Sequence, residues 1–192
     1  MTVIGVLGLQ GAVGEHLKQL QSCGVDAVVV KKAEQLQDID GLIIPGGEST
    51  AIRNLMDRYG FVEPLKSFEQ PIFGTCAGMV LLANELSGTE ESHLQRINIR
   101  VKRNASGRQK DSFEAALEVK GLEEPYHAVF IRAPYVEETG DGVEVLATYD
   151  GQVVAAKEGN ILVSAFHPEL TDDHRFLQLF IDMVNSSKLT VV

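Results

Sequence analysis

Residues 3–9 are almost wholly apolar, as a strand covered on both faces would be. Residues 12–23 then place Val13, Leu17 and Leu20 at helical spacing, and Gly24 supplies a stop. Further strands are predicted over 25–30 and 41–44, followed by a helix over 48–59 entered through Pro45, Gly46 and Gly47. A short strand over 71–74 runs straight into a predicted helix over 77–86. Strands alternating with helices imply parallel crossovers, hence a sheet covered by helices on both sides.

The second half changes character. Strand-like runs at 97–102, 113–119, 128–131, 143–147 and 153–156 have few helical windows between them, so antiparallel neighbours or a small second layer is expected. Residues 161–166 return to the core, and Phe176, Leu177, Leu179, Phe180 and Val184 mark a closing amphipathic helix. The expected fold class is therefore α/β: a mostly parallel central sheet flanked by helices, with additional antiparallel strands in the second half.

Composition narrows the function classes. The chain has 192 residues, 44% hydrophobic and 23% charged, which suits one domain over 1–192 that needs neither disulfides nor a structural metal. A formal charge of −10 argues against phosphate backbones and anionic lipid surfaces, so neither nucleic acid nor membrane is an expected partner. The N-terminus lacks a basic leader, and its apolar run is broken by Gly5 and Gly8. The two cysteines, Cys23 and Cys76, show no Cys-x-x-Cys spacing, which fits a reducing cytoplasm.

Gly74-Thr75-Cys76-Ala77-Gly78 sits where a short apolar strand turns directly into a helix. Small residues on both sides allow a tight turn that lifts a nucleophile out of the chain, beside a helix N-terminus that favours negative charge. A buried, inert thiol in a glycine-rich turn is the alternative, and Cys23, with no such turn around it, reads that way. Phe166-His167-Pro168-Glu169 follows the last apolar strand. If the segment stays extended, His167 and Glu169 project to one side, the carboxylate orienting the ring and the second ring nitrogen free for Cys76.

Pro45-Gly46-Gly47-Glu48-Ser49-Thr50 joins another strand to a helix, and its glycines let backbone N–H groups approach a ligand, as an oxyanion site requires. It lacks the Gly-Lys-Ser/Thr ending of a phosphate loop. The opening glycines are spaced G-x-x-G-x-x-G, and the second strand ends in Lys31-Lys32 rather than an acid, which disfavours a dinucleotide site. Arg100, Lys102, Arg103, Arg108 and Lys110 form either a carboxylate-binding patch or a solvated hairpin face. His16, His93, His127 and His174 have no metal-site spacing and read as solvated or internally satisfied; no metal or cofactor is called for.

Taken together, the cysteine turn, F-H-P-E and P-G-G-E-S-T resemble the class I, or triad, glutamine amidotransferases. G-L-Q-G-A-V, F-G-T-C-A-G with Val80, G-R-Q-x-D-S-F-E from Gly107, F-I-R-A-P and F-H-P-E-L-T narrow this to the glutaminase subunits of pyridoxal 5'-phosphate synthase, from about Ile4 to His174. The resemblance implies a flavodoxin-like fold and hydrolysis of L-glutamine to glutamate and ammonia, with Cys76 as nucleophile and His167 and Glu169 as base and orienting acid. It implies glutamine contacts from Gly46, Gly47, Glu48, Ser49, Arg103, Ile131 and Arg132, an oxyanion site using Gly47 and Ala77, and a part for Gln10 in assembling that site.

The implied partner is PdxS, a (β/α)₈ synthase, in a complex of twelve synthase with up to twelve glutaminase subunits. Such a barrel takes ~250 residues, so the partner is expected to be another polypeptide. Ser106 stands where relatives carry an aromatic residue. Two rival readings use the same features: a cysteine peptidase or deglycase on a related scaffold, and a binding module that retains the fold without the chemistry.

Overall fold

Burial along the strands decides their place in the sheet. In the computed structural model, which describes residues 1–88, 90–103 and 112–190, β3 (Gly41–Ile44), β4 (Ile72–Thr75) and β12 (Ile161–Ser164) are buried at every position. They form the centre. β2 (Asp26–Val30) alternates exposed and covered residues and lies at the edge, beside β1 (Val3–Leu7). The order β2-β1-β3-β4-β12 is parallel throughout. It continues antiparallel through β11 (Gln152–Glu158), β9 (Tyr135–Thr139) and β6 (Ile97–Lys102), ending on β5 (Ala83–Leu86), which pairs parallel with β6. β10 (Glu144–Tyr149) pairs with β11, and β7 (Ser112–Leu117) with β8 (Tyr126–Ile131) makes a separate ribbon.

The fold class matches the expectation of a mostly parallel sheet acquiring antiparallel strands late in the chain. Helices α1 (Val13–Ser22), α2 (Ser49–Arg58), α3 (Val62–Lys66), α4 (Ala77–Leu82) and α5 (Arg175–Thr190) supply the connections and the closing cover. The helix expected over 77–86 stops at Leu82. Ala83–Leu86 instead pairs with β6, where Glu85 lies opposite Arg100. α3, a 3-10 turn over Ala33–Asp38 and strand β9 had no clear sequence signal. Among the described residues, no helix is long and apolar enough to cross a membrane.

Register brings the chemistry to one edge. Ile44 lies opposite Gly74 and Thr75 opposite Ser164, so the segments after β3, β4 and β12 leave the sheet side by side at their carboxyl ends. Beneath them is an aromatic cluster: Phe73 and Phe176 rings are 5.7 Å apart, and Phe166 and Phe176 meet edge to face at 4.9 Å. Phe166 is fully buried there, which anchors the residue before His167.

Candidate active site

Cys76 follows β4 and caps α4 with φ 51° and ψ −102°, a conformation that L residues rarely adopt. The surrounding contacts enforce it. Its N–H is donated to Ser164 O at 2.8 Å. A Cβ on Gly74 would lie 2.6 Å from the Gly78 carbonyl carbon, and one on Gly78 would lie 2.2 Å from Ile44 O. The glycines of the pentapeptide are thus required by close backbone approach, with α4 pressed against β3 and β4. The sulfur lies 3.9 Å from Ile131 O, a contact of hydrogen-bonding type.

His167 N–H is donated to Val129 O at 2.8 Å, which ties the segment to β8. Its ring Nδ1 lies 2.6 Å from Glu169 Oε1, and the Glu169 side chain is completely buried. The expected extended segment is not what brings them together. Pro168–Leu170 is a 3-10 turn with Pro168 in its first position, where its ring preorganises the backbone and its missing N–H costs nothing. The turn folds Glu169 back under the imidazole.

The electrostatics follow from this arrangement. Burial works against charge on His167, yet Cys76 and Glu169 outweigh it and push the imidazole up to about 10. Burial likewise opposes charge on Glu169, but the His167 hydrogen bond and the neighbouring His16 hold its carboxyl below the usual range. Nε2 of His167 is buried and has no hydrogen-bond partner among the described residues. Cys76 and His167 line one cavity of about 510 Å³.

Gln10, Gly47, Glu48, Ser49, Ala77, Arg103, Ile131 and Arg132 line that same cavity. Gly46 does not. Its N–H is donated to the Thr75 hydroxyl at 3.0 Å and its carbonyl accepts from Ala12 N–H at 2.9 Å, so it packs under the site and offers no free donor. The cap of α2 is Glu48 rather than a hydroxyl residue. Its carboxylate accepts from Thr50 N–H at 3.0 Å and Ala51 N–H at 2.7 Å; burial opposes the charge, but these bonds and Arg103 hold the carboxyl below its ordinary range. Gln10 Oε1 accepts from Glu48 N–H at 2.9 Å, joining the first loop to the cavity turn.

The basic cluster divides. Arg100 is occupied by Glu85 and Glu138, whereas Arg103 faces the cavity, held by Glu90 and within 3.7 Å of Glu48. Arg108, Lys110, Ser106 and most of the G-R-Q-x-D-S-F-E segment lie outside the described residues. Two further residues stand behind the site: His16, which the sequence offers only as a solvated or internally satisfied histidine, and Gln19, which it does not single out. His16 Nε2 lies 3.2 Å from Thr75 Oγ1 and 3.6 Å from Glu169 Oε2, and Gln19 Nε2 donates to Pro168 O at 2.7 Å. Both are buried polar positions on an otherwise ordinary helix, a signal visible only once α1 has been docked. Among the described residues, no group of three or more acidic, histidine or cysteine side chains could hold a metal ion.

Comparison with known proteins places the chain among glutamine amidotransferases. The SNO glutamine amidotransferase family matches residues 6–186. The chain is 57% identical over 191 residues to the pyridoxal 5'-phosphate synthase subunit PdxT of Bacillus velezensis, covering 98% of this chain and 97% of that protein. It is 57% identical over 195 residues to the same subunit of Bacillus cytotoxicus, with both chains fully covered. A crystal structure of a glutamine amidotransferase superposes with a TM-score of 0.90 at 43% identity, covering 95% of this chain and 98% of the other.

Proposed function

The chain belongs to the SNO glutamine amidotransferase family, and from that premise we propose that Cys76, His167 and Glu169 form the triad with which it hydrolyses L-glutamine to L-glutamate and ammonia. The observation that carries the reading is one cavity holding a thiol on a strained turn and an imidazole whose far nitrogen is fixed by a buried carboxylate.

In this mechanism the Cys76 thiolate attacks the carboxamide carbon of glutamine, and the carbonyl electrons move onto oxygen. Gly47 and Ala77 both line the cavity, and their N–H groups are assigned to receive that oxyanion. A well-placed donor of this kind is worth about 3 kcal/mol of the barrier. His167, protonated while paired with the thiolate, passes its Nε2 proton to the departing nitrogen, which leaves as ammonia and forms a thioester. His167 then takes a proton from water, whose oxygen attacks the thioester; glutamate departs and the thiolate–imidazolium pair is restored. Glu169 holds the ring tautomer and steadies its charge throughout.

Arg103 supplies positive charge for the substrate carboxylate, and Glu48, Ser49, Ile131 and Arg132 complete the glutamine pocket. Gln10, by fixing the Glu48 peptide, governs whether the neighbouring Gly47 N–H faces the oxyanion. Ammonia in neutral water is mostly protonated and then no longer nucleophilic, so a closed path to a synthase is advantageous. The relatives' designation as pyridoxal 5'-phosphate synthase subunits supports a role in that synthesis; delivery of the ammonia to PdxS, in a complex of twelve synthase with up to twelve glutaminase subunits, is what the family resemblance implies. The reading takes residues 1–192 as one glutaminase domain working in a reducing cytoplasm, where Cys23 and Cys76 stay free thiols.

The test is ammonia release from glutamine with and without purified synthase subunit, for the wild type and Cys76→Ala. The substitution should abolish glutamine-dependent pyridoxal phosphate formation and leave ammonia-dependent synthesis intact. Unchanged glutamine use would defeat the reading.

A further inference from the structure

His16 is fully buried on α1, 1% exposed, and burial keeps its pKa below the ordinary histidine value despite the nearby Glu169. A neutral imidazole has one N–H, and the contacts fix where it sits. Nδ1 is buried and has no partner among the described residues, whereas Nε2 faces Thr75 Oγ1 at 3.2 Å and Glu169 Oε2 at 3.6 Å. Hydrogen on Nδ1 would bury an unpaired donor and turn a lone pair toward a carboxylate. Hydrogen on Nε2 instead donates to the Thr75 hydroxyl oxygen and directs its dipole at Glu169.

The contacts run further in both directions. Thr75 Oγ1 also accepts the Gly46 N–H at 3.0 Å, next to the Gly47 peptide of the cavity. Glu169 Oε2 has no hydrogen-bond partner of its own among the described residues, so the His16 N–H is the polar group that faces it from behind while Oε1 serves His167. α1 is held on the same segment by Gln19, whose amide donates to Pro168 O at 2.7 Å.

We propose that His16 is a positioning residue for glutamine hydrolysis: as a neutral Nε2–H donor it fixes the rear oxygen of Glu169 and, through Thr75, the peptide that precedes the oxyanion turn. It touches neither glutamine nor the thiol and moves no proton. The inference rests on the triad reading above and adds to it a link between the orienting acid and the oxyanion peptide.

Two substitutions of similar polarity separate positioning from mere packing. In His16→Gln the side-chain amide nitrogen reaches the place of Nε2, with one hydrogen for Thr75 and one for Glu169; in His16→Asn the shorter amide reaches only the place of Nδ1. Both are assayed as glutaminases with the synthase subunit present, and Cys76 alkylation by iodoacetamide is followed in parallel. His16→Asn should lose about 10- to 100-fold in kcat, as expected when the buried Thr75 and Glu169 oxygens lose the N–H that faces them, with KM changed by less than about twofold. His16→Gln should recover kcat to within about threefold of the wild type, and alkylation should slow in the asparagine variant alone. Equal kcat in the two variants, whether high or low, or a change confined to KM, would overturn the proposal. A Cys76→Ala protein that still released ammonia would instead remove the triad reading beneath it, which keeps the two failures distinct.

Discussion

Gly46 and the His167 ring are packed so closely that a methyl group on Gly46 would lie 2.7 Å from the imidazole Cε1 and 3.1 Å from Nδ1. The same methyl would come within 3.5 Å of the Cys76 Cβ. Hydrogen here is a condition of the catalytic geometry rather than of chain folding, since Gly46 is not at positive φ. Gly46→Ala should fold but displace the ring from Glu169, lowering kcat by about 100-fold or more, in line with the loss that misplacing a reacting group by 1 Å brings. Steady-state ammonia release together with circular dichroism checks both halves.

The strain at Cys76 gives a second expectation, of opposite sign for stability and function. At φ 51° a Cβ costs roughly 1–2 kcal/mol, and glycine carries no such penalty. Cys76→Gly and Cys76→Ala should both be inactive, but the glycine variant should melt higher by about 2–4 °C for each kcal/mol relieved in a chain of this size. Differential scanning calorimetry of the two dead variants reads this directly.

Gly78→Ala tests the support of the turn. The added carbon would press into Ile44 O at 2.2 Å, a backbone atom that cannot rotate away, so α4 must shift from β3. Overpacking of this kind typically costs about 1–3 kcal/mol. The variant should show a lower urea midpoint and reduced glutaminase activity, because the Ala77 N–H moves with the helix.

The titration of the site sets a pH window for stability. The folded pKa of His167 is raised from 6.5 to about 10, so between these values the folded chain binds a proton that the unfolded chain does not. Its contribution is complete below pH 6.5 and is lost as pH rises through 10. His16 acts in the reverse sense: its folded pKa is lowered, so stability falls as the unfolded chain takes up its proton below 6.5. Urea midpoints measured from pH 6 to pH 10.5 should therefore decline on the alkaline side. His167→Asn should flatten that decline, and an unaltered alkaline slope in the variant would contradict the pairing.

Much of the site was legible in sequence because its signals are local. Two glycines around Cys76, the apolar run before His167 and the strand-to-helix turn at Gly47 each carry their chemistry within a few residues. The parts that were missed depend on long-range contacts. Ala77–Leu82 is buried at every position, so no periodicity marks where α4 gives way to a strand, and only pairing with β6 decides it. β9 buries little besides Val136 and has no apolar alternation to read. His16 looked like a satisfied histidine because Thr75 and Glu169, the residues it meets, are distant in the chain. Gly46 was grouped with the ligand-binding glycines; the Thr75 hydroxyl that occupies its N–H lies on another strand.

The most direct test of the account is covalent labelling with the glutamine analogue 6-diazo-5-oxo-L-norleucine in the presence of the synthase subunit, followed by peptide mapping. One adduct is expected, on Cys76, with labelling sharply slowed in His167→Asn and in Glu169→Gln. An adduct on Cys23, or no adduct on the wild-type protein within the complex, would contradict it.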